Sequence, residues 1–113
     1  MSTAEQELRA ARSQMTFRAL NNRIKDLGET SGSSGVLDFS CECADETCVE
    51  KIRLSAPEFR AIAQRANQFI VLRGHELPEV EDTIAQFDGF GGLDRVLIVS
   101  KRGAGAEFVK EHS

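Results

Sequence analysis

The stretch CECADETC, residues 41–48, contains all three cysteines of this 113-residue chain. In a C-x-C pattern on a strand, both thiols project from the same side. A tight turn through the polar residues that follow can return the third thiol, that of Cys48, beside Cys41 and Cys43. The acids and the threonine of the stretch mark its surroundings as polar and exposed, so thiols buried only for packing are not expected. The pattern therefore predicts a hairpin with a thiol cluster at its turn.

Metal binding best explains a cluster of three thiols. A structural disulfide is disfavoured in a reducing cytosol, and the redox motif C-x-x-C does not occur in the sequence. Structural zinc takes four protein ligands in a tetrahedron, and histidine is the usual completion of a Cys₃ set. We therefore predict a zinc site, with a [2Fe–2S] cluster on the same residues as the alternative.

His75 is the predicted fourth ligand. It follows the apolar run Phe69–Leu72 and a glycine, Gly74, which allows close approach of the backbone. If that strand pairs beside the hairpin, His75 emerges at the same end of the sheet as the cysteines. The other histidine, His112, is the weaker candidate. Carboxylates would be less typical ligands, and the three in reserve are Glu42, Asp45 and Glu76.

The rest of the chain alternates between strand and helix signals. Apolar and polar residues alternate along both arms of the hairpin, from Val36 to Leu54. Ser55 and Glu58 form a capping-box pattern that starts a helix. Further strands are predicted at 69–72, 79–87 and 95–100. The segment 79–87 also fits a helix by the spacing of its apolar residues, and we favour the strand.

These elements predict an α+β fold. It consists of an N-terminal amphipathic helix and a small, mainly antiparallel sheet of about four strands, with one covering helix and a metal-binding hairpin. The predicted segments are an N-terminal helix at 1–28, a flexible linker at 29–35, the metal-binding domain at 36–102 and a tail at 103–113.

The N-terminal helix carries an apolar stripe that ends at Gly28, a natural stop for a helix. The stripe consists of Phe17, Leu20, Ile24 and Leu27. The Gly/Ser-rich linker after it leaves the helix somewhat separate. The stripe either packs on the body of the protein or binds a protein partner, and a second copy of the chain in a homodimer is one such partner.

Composition restricts the classes of function. A net charge of −4 and the lack of Trp and Tyr argue against nucleic-acid binding, although Lys51, Arg53, Arg60 and Arg65 could form a basic patch with the arginines of the N-terminal helix. No apolar run approaches the roughly 20 residues that span a bilayer. The N-terminal stretch lacks the apolar core of a secretory signal, so we expect a cytoplasmic protein. The zinc signatures of deaminases and of HExxH proteases do not occur, and we do not expect an enzyme.

Five segments together resemble a family of small uncharacterised actinobacterial proteins. The segments are FRALNNRIKDL (17–27), FSCECADETC (39–48), RLSAPEFRAI (53–62), FIVLRGHELPEVE (69–81) and VLIVSKR (96–102). The most specific part of the pattern is CECxDxxC followed by GHE. The chain departs from it at Ala44, Phe59 and Arg73 and in a longer turn at 88–94. The resemblance implies a metal-binding module and no particular activity.

We therefore expect a small metal-binding regulatory or adaptor module that acts through protein–protein interaction. Two alternatives remain open. One is a nucleic-acid-binding zinc module. The other is a redox or metal sensor with a labile zinc ion or an iron–sulfur cluster.

Overall fold

The computed structural model describes residues 3–32, 35–88 and 95–112. The elements in chain order are α1 (Thr3–Thr30), β1 (Val36–Ser40), β2 (Lys51–Ser55), α2 (Ala56–Ala63), β3 (Gln68–Leu72), β4 (Glu81–Asp88), β5 (Arg95–Lys101) and α3 (Gly103–His112). The predicted α+β class is confirmed, and the described residues form five strands in two sheets where about four were expected. Among the described residues, no helix is both long enough and apolar enough to cross a membrane.

Both sheets are antiparallel. Strands β1 and β2 form the predicted hairpin, in register from Val36 opposite Ser55 to Ser40 opposite Lys51. The second sheet has the order β3-β5-β4. The ambiguous segment 79–87 is a strand over most of its length, and its register shifts between Thr83 and Ala85. This irregularity interrupts the alternation of apolar residues, which explains why the sequence pattern also suited a helix.

The two sheets meet at the cysteine segment. Beyond β1, the N–H of Cys41 continues the hairpin by donating to the carbonyl of Glu50 at 3.1 Å. The next N–H, that of Glu42, donates instead to the carbonyl of Ile70 in β3 at 2.7 Å. The chain therefore passes from one sheet to the edge of the other within two residues. This crossing places the end of β3, and His75 after it, beside the thiols.

Helix α2 begins as predicted. The hydroxyl of Ser55 accepts from the N–H of Glu58 at 3.3 Å, and the Glu58 carboxylate accepts from the N–H of Ser55 at 3.0 Å. This capping box orients the helix so that Phe59 is fully buried and stacks on Phe39 with 4.5 Å between the ring centroids. The two rings join the helix to the hairpin.

Helix α1 packs on the body with only part of the apolar stripe. Ile24 packs against the core, Phe17 is half-buried, and Leu20 and Leu27 remain 44% and 69% exposed. The buried side chains of α1 are small or polar, namely Ala10, Ala11, Ser13, Gln14, Arg18 and Asn21. As a prediction of the core face, the stripe is therefore confirmed at Ile24 and wrong at Leu20 and Leu27, and polar groups of α1 that turn inward find partners in the body.

The ends of α1 and of the chain also differ from expectation. The helix does not stop at Gly28 but continues to Thr30, and Gly28 is buried against Leu37, whose Cδ1 would lie 2.6 Å from an added Cβ. The glycine thus permits close approach and does not end the helix. Of the predicted linker, residues 33 and 34 lie outside the described residues. The predicted tail contains helix α3, which lies against α1, with the Arg12 guanidinium 5.6 Å from the centre of the Phe108 ring.

Candidate metal centre

Four side chains from two parts of the chain form a compact cluster of metal-ligating atoms. The Sγ atoms of Cys41, Cys43 and Cys48 and a ring nitrogen of His75 all lie within 4.8 Å of one another. Nδ1 of His75 is 3.6 Å from Sγ of Cys41 and 3.7 Å from Sγ of Cys48. A tetrahedral zinc ion with bonds of about 2.3 Å to sulfur and about 2.0 Å to nitrogen separates such atoms by about 3.5 Å. The spacing of the cluster therefore fits a single tetrahedral ion.

The loop between β1 and β2 brings the third thiol back to the first two. The N–H of Cys48 donates to the carbonyl of Asp45 at 3.0 Å, which closes the turn. The carboxylate of Asp45 accepts from the N–H and the hydroxyl of Thr47 at 2.9 and 2.6 Å. These hydroxyl and backbone hydrogen bonds lower the pKa of Asp45. The ADET segment therefore forms a hydrogen-bonded turn, which the carboxylate of Asp45 stabilises.

His75 is placed by a turn that follows β3. Gly74 has a φ of 97°, a backbone conformation that glycine adopts without strain. The N–H of His75 then donates to the carbonyl of Leu72 at 2.9 Å. The prediction that His75 emerges at the same end as the cysteines is confirmed. The side chain of His112 lies outside the described part of the chain.

The thiols interact with one another and with the backbone of β3. A hydrogen bond between Cys41 and Cys43 raises the pKa of the Cys41 thiol and lowers that of Cys43 to about 5. Burial raises the pKa of Cys48. The N–H of Leu72 donates to Sγ of Cys41 at 3.3 Å and favours its thiolate. Such N–H···S contacts orient a ligating thiolate and temper its charge.

Glu42, which lies between the first two cysteines, is not an exposed residue. Its side chain is fully buried and forms a two-point ion pair with Arg18, Nε to Oε2 at 2.7 Å and Nη2 to Oε1 at 2.9 Å. Asn21 donates to the same carboxylate at 3.0 Å, and the N–H of Ile70 donates at 2.9 Å. The expectation that Glu42 is a polar surface residue and a reserve ligand is wrong, because helix α1 and strand β3 occupy its oxygens.

Neither of the other reserve carboxylates belongs to the cluster of four donors. Asp45 holds the turn through Thr47. Glu76 accepts from the N–H of Gly74 at 2.6 Å. Both residues line a cleft of about 320 Å³ that also reaches Cys43 and His75. They place negative charge beside the cluster without being part of it.

Helix α1 also binds the backbone on both sides of Glu42. The Asn21 amide pairs with Ser40 in two ways, accepting from its N–H at 2.7 Å and donating to its carbonyl at 2.8 Å. The hydroxyl of Ser13 donates to the carbonyl of Cys43 at 3.2 Å. Sequence reasoning missed these helix residues because it followed only the apolar residues of the helix. The signal that could have found them is the spacing of Arg18 and Asn21, three residues apart and hence on one face.

The four donors differ in their access to solvent. Cys41 and Cys43 are 0% and 1% exposed, whereas Cys48 and His75 are partly exposed. One side of the cluster is therefore sealed by the core and the other borders the surface. Comparison of the chain with protein-family models, with curated proteins and with solved structures found no match. The case for a metal centre thus rests on this geometry and on the chemistry of the donors.

Proposed function

We propose that this protein is a small zinc-binding module of the cytoplasm that acts by binding another protein. The observation that carries the metal part is the cluster formed by Cys41, Cys43, Cys48 and His75. Thiolate and imidazole donors in a tetrahedral set of four are the usual environment of structural zinc. With all four positions taken by the protein, no position is left for a substrate, which favours a structural role over catalysis.

A single ion suits the cluster better than the alternative [2Fe–2S] centre. A two-iron cluster divides its four ligands between two metal atoms and therefore needs donors that lie farther apart. Here all four donor atoms lie within 4.8 Å of one another. Zinc is preferred among single ions because it favours tetrahedral sulfur and nitrogen coordination and is redox-inactive.

The adaptor role is supported by the outer face of helix α1. Leu20 and Leu27 lie two turns apart on one side of the helix and are 44% and 69% exposed. Exposed leucines at such spacing form the kind of apolar strip on which a partner helix can pack. A protein partner, or a second copy of the chain, would cover the part of the predicted stripe that the core leaves open.

The nucleic-acid alternative has less support. Of the four basic residues proposed to join the helix arginines in a patch, Arg53 pairs with Asp38 at 3.3 Å and Arg60 pairs with Glu29. Phosphate binding depends on uncompensated positive charge. Neutralised arginines and a net charge of −4 leave little attraction for a polyanion.

The sensor alternative is favoured by one observation, the partial exposure of Cys48 and His75. An oxidant such as hydrogen peroxide can reach that side of the cluster. Two thiolates would give up two electrons to form a disulfide, and the peroxide with two protons would become two waters. The zinc ion, left with too few ligands, would be released. Titration of peroxide against released zinc tests this role, and zinc retained until the protein unfolds would contradict it.

The first experiment is elemental analysis with native mass spectrometry of protein purified without chelator. One zinc ion per chain supports the proposal. Iron with inorganic sulfide would show that the site holds an iron–sulfur cluster and not zinc. Protein free of metal with three reactive thiols would overturn the metal site.

The adaptor role is tested by a pull-down with Leu20→Ser and Leu27→Ser together. We expect this variant to keep its zinc and to lose its partner or its self-association. Ile84→Ser is the matched control, since Ile84 is also an exposed apolar residue, at 51%, but lies on β4. Equal binding by both variants and the wild type would contradict a docking role for the stripe.

A further inference from the structure

We propose that helix α1 is a working part of the metal centre, in which Arg18 and Asn21 act through Glu42 as positioning residues for Cys41 and Cys43. The inference rests on the proposed metal site and extends it to its regulation. It assigns a function to a helix that contributes no ligand. It also explains why the inner face of that helix is polar.

Glu42 anchors the segment that carries Cys41 and Cys43. It is the residue between two ligands, so any movement of its backbone moves both thiols. Its carboxylate is held at both oxygens, by the guanidinium of Arg18 and also by Asn21 and the N–H of Ile70. A two-point ion pair of this kind fixes direction as well as distance. Glu42 is therefore anchored more firmly than a loop residue of an ordinary hairpin.

Helix α1 makes a row of contacts along the ligand segment. Asn21 pairs with the backbone of Ser40, Arg18 with the side chain of Glu42, and Ser13 with the carbonyl of Cys43. The helix thus touches the residue before the first ligand, the residue between the two ligands and the second ligand itself. Few arrangements of Cys41 and Cys43 satisfy all these contacts at once. Those contacts restrict the thiols before any metal binds.

Arg18 also balances the negative charge of the ligand segment. Three thiolates around a divalent ion carry a net negative charge, and Glu42 adds another within the same segment. Arg18 offsets it, and its guanidinium is itself enclosed by Phe69 and Phe59, with ring centres at 4.6 and 5.6 Å. A buried carboxylate that loses its only charged partner is strongly destabilised. Without Arg18 the segment that holds Cys41 and Cys43 would be pushed away from its buried position.

The coupling between docking of α1 and metal binding is reciprocal. If docking of α1 favours metal binding, metal binding favours docking of α1 by the same factor. The outer face of the same helix exposes Leu20 and Leu27. A partner that draws α1 from the body would weaken zinc binding, and one that presses it inward would strengthen it. Zinc binding and docking of the N-terminal helix are then coupled equilibria.

The experiment measures zinc affinity by competition with a chromophoric chelator, together with the absorption spectrum of the cobalt-substituted protein. Residues that orient ligands from outside the coordination sphere typically change metal affinity about 10- to 100-fold. We expect a loss of that size for Arg18→Met and for Asn21→Ala, with a shifted cobalt spectrum. Arg23→Met is the matched control, because Arg23 is an exposed arginine of the same helix, and it should leave both readouts unchanged.

A double variant tests whether Arg18 acts through Glu42. Arg18→Met and Glu42→Gln combined should cost less affinity than the sum of the two single changes, because the buried carboxylate is removed with its partner. Arg18→Lys keeps the charge but not the two-point geometry and should fall between Arg18→Met and the wild type. If Arg18→Met does not fold, Arg18→Lys takes its place in the affinity measurement.

The outcomes separate this inference from the proposed function. Wild-type protein that binds no metal would end the metal site itself before any variant is made. Wild-type protein with one zinc, and folded Arg18→Met and Asn21→Ala variants that bind zinc as tightly with an unchanged cobalt spectrum, would overturn the positioning role alone. If the helix has only a structural role, these substitutions should lower the thermal stability and leave the zinc affinity unchanged.

Discussion

Lys101 and Glu81 form an ion pair of 3.4 Å in which the two side chains are 0% and 2% exposed. The same carboxylate accepts from the Gln14 amide at 3.0 Å and from the N–H of Leu77 at 2.8 Å. This is a second polar anchor of helix α1, and it connects the helix to strands β4 and β5. Like the anchor at Glu42, it consists of a buried carboxylate that depends on its partners for stability.

The first prediction concerns the removal of one member of this pair. Lys101→Met should destabilise the fold by about 3–5 kcal/mol, because it leaves a buried carboxylate without its cation. The double change Lys101→Met with Glu81→Gln should be much milder, since both charges leave together. Chemical denaturation of the two variants and the wild type measures the difference. A double variant as unstable as Lys101→Met would show that the charges are not coupled.

The second prediction is the pH dependence that Lys101 produces. Burial lowers the pKa of Lys101 below its ordinary value of 10.5, and the attraction of Glu81 and of Glu7 opposes this shift only in part. At a pH between the lowered pKa and 10.5, the unfolded chain binds more protons than the folded chain, so this group makes stability rise with pH. Below the lowered pKa, the free-energy cost of burying the charged Lys101 does not change with pH.

The measurement compares the free energy of unfolding of the wild type and of the Lys101→Met, Glu81→Gln double variant across the alkaline range. The wild type should gain stability relative to the double variant as the pH approaches 10.5. Parallel curves for the two proteins would contradict a lowered pKa for Lys101.

Much of the metal site could be predicted because its signal is local and chemically specific. Cys41, Cys43 and Cys48 lie within eight residues, and the incomplete coordination set directed attention to a histidine after a strand. The role of Glu42 could not be predicted in this way. Its partners come from residues 18, 21 and 70, and only the fold brings them together. Spacing in the sequence describes neighbours along one element and is silent about contacts between elements.

The polar residues on the inner face of helix α1 were missed for a related reason. Hydrophobic periodicity assumes that the inner face of a helix is the apolar one. Here Arg18 and Asn21 turn inward because they form hydrogen bonds with buried acceptors, whereas Leu20 and Leu27 remain exposed. The capping box at Ser55, by contrast, was confirmed because both of its partners belong to the same turn of chain.

The third prediction concerns the ligands. Cys43→Ser should abolish the stabilisation that zinc provides, which is about 4 kcal/mol when free metal exceeds the dissociation constant a thousandfold. His75→Ala should lose less, because water can occupy one coordination position. Val49→Ser is a suitable control, as Val49 follows Cys48 directly and is 80% exposed. Thermal unfolding with and without a chelator measures the effect. A chelator that shifts the melting temperature of Cys43→Ser as much as that of the wild type would refute the assignment of this ligand.

The last prediction concerns the turn that delivers His75. Gly74 has a φ of 97°, where a side chain strains the backbone, and an added Cβ would meet nothing within 4 Å. Gly74→Ala should therefore destabilise the fold by about 1–2 kcal/mol through backbone strain alone. Because the strain is relieved by rotating the peptide that carries His75, zinc affinity should fall as well.

Gly35→Ala is the control, since an added Cβ at Gly35 also meets nothing within 4 Å and its φ is not in the left-handed region. Measured together, stability and zinc affinity should both fall for Gly74→Ala and both hold for Gly35→Ala. A Gly74→Ala variant that loses stability and keeps full zinc affinity would mean that the position of His75 does not depend on this turn.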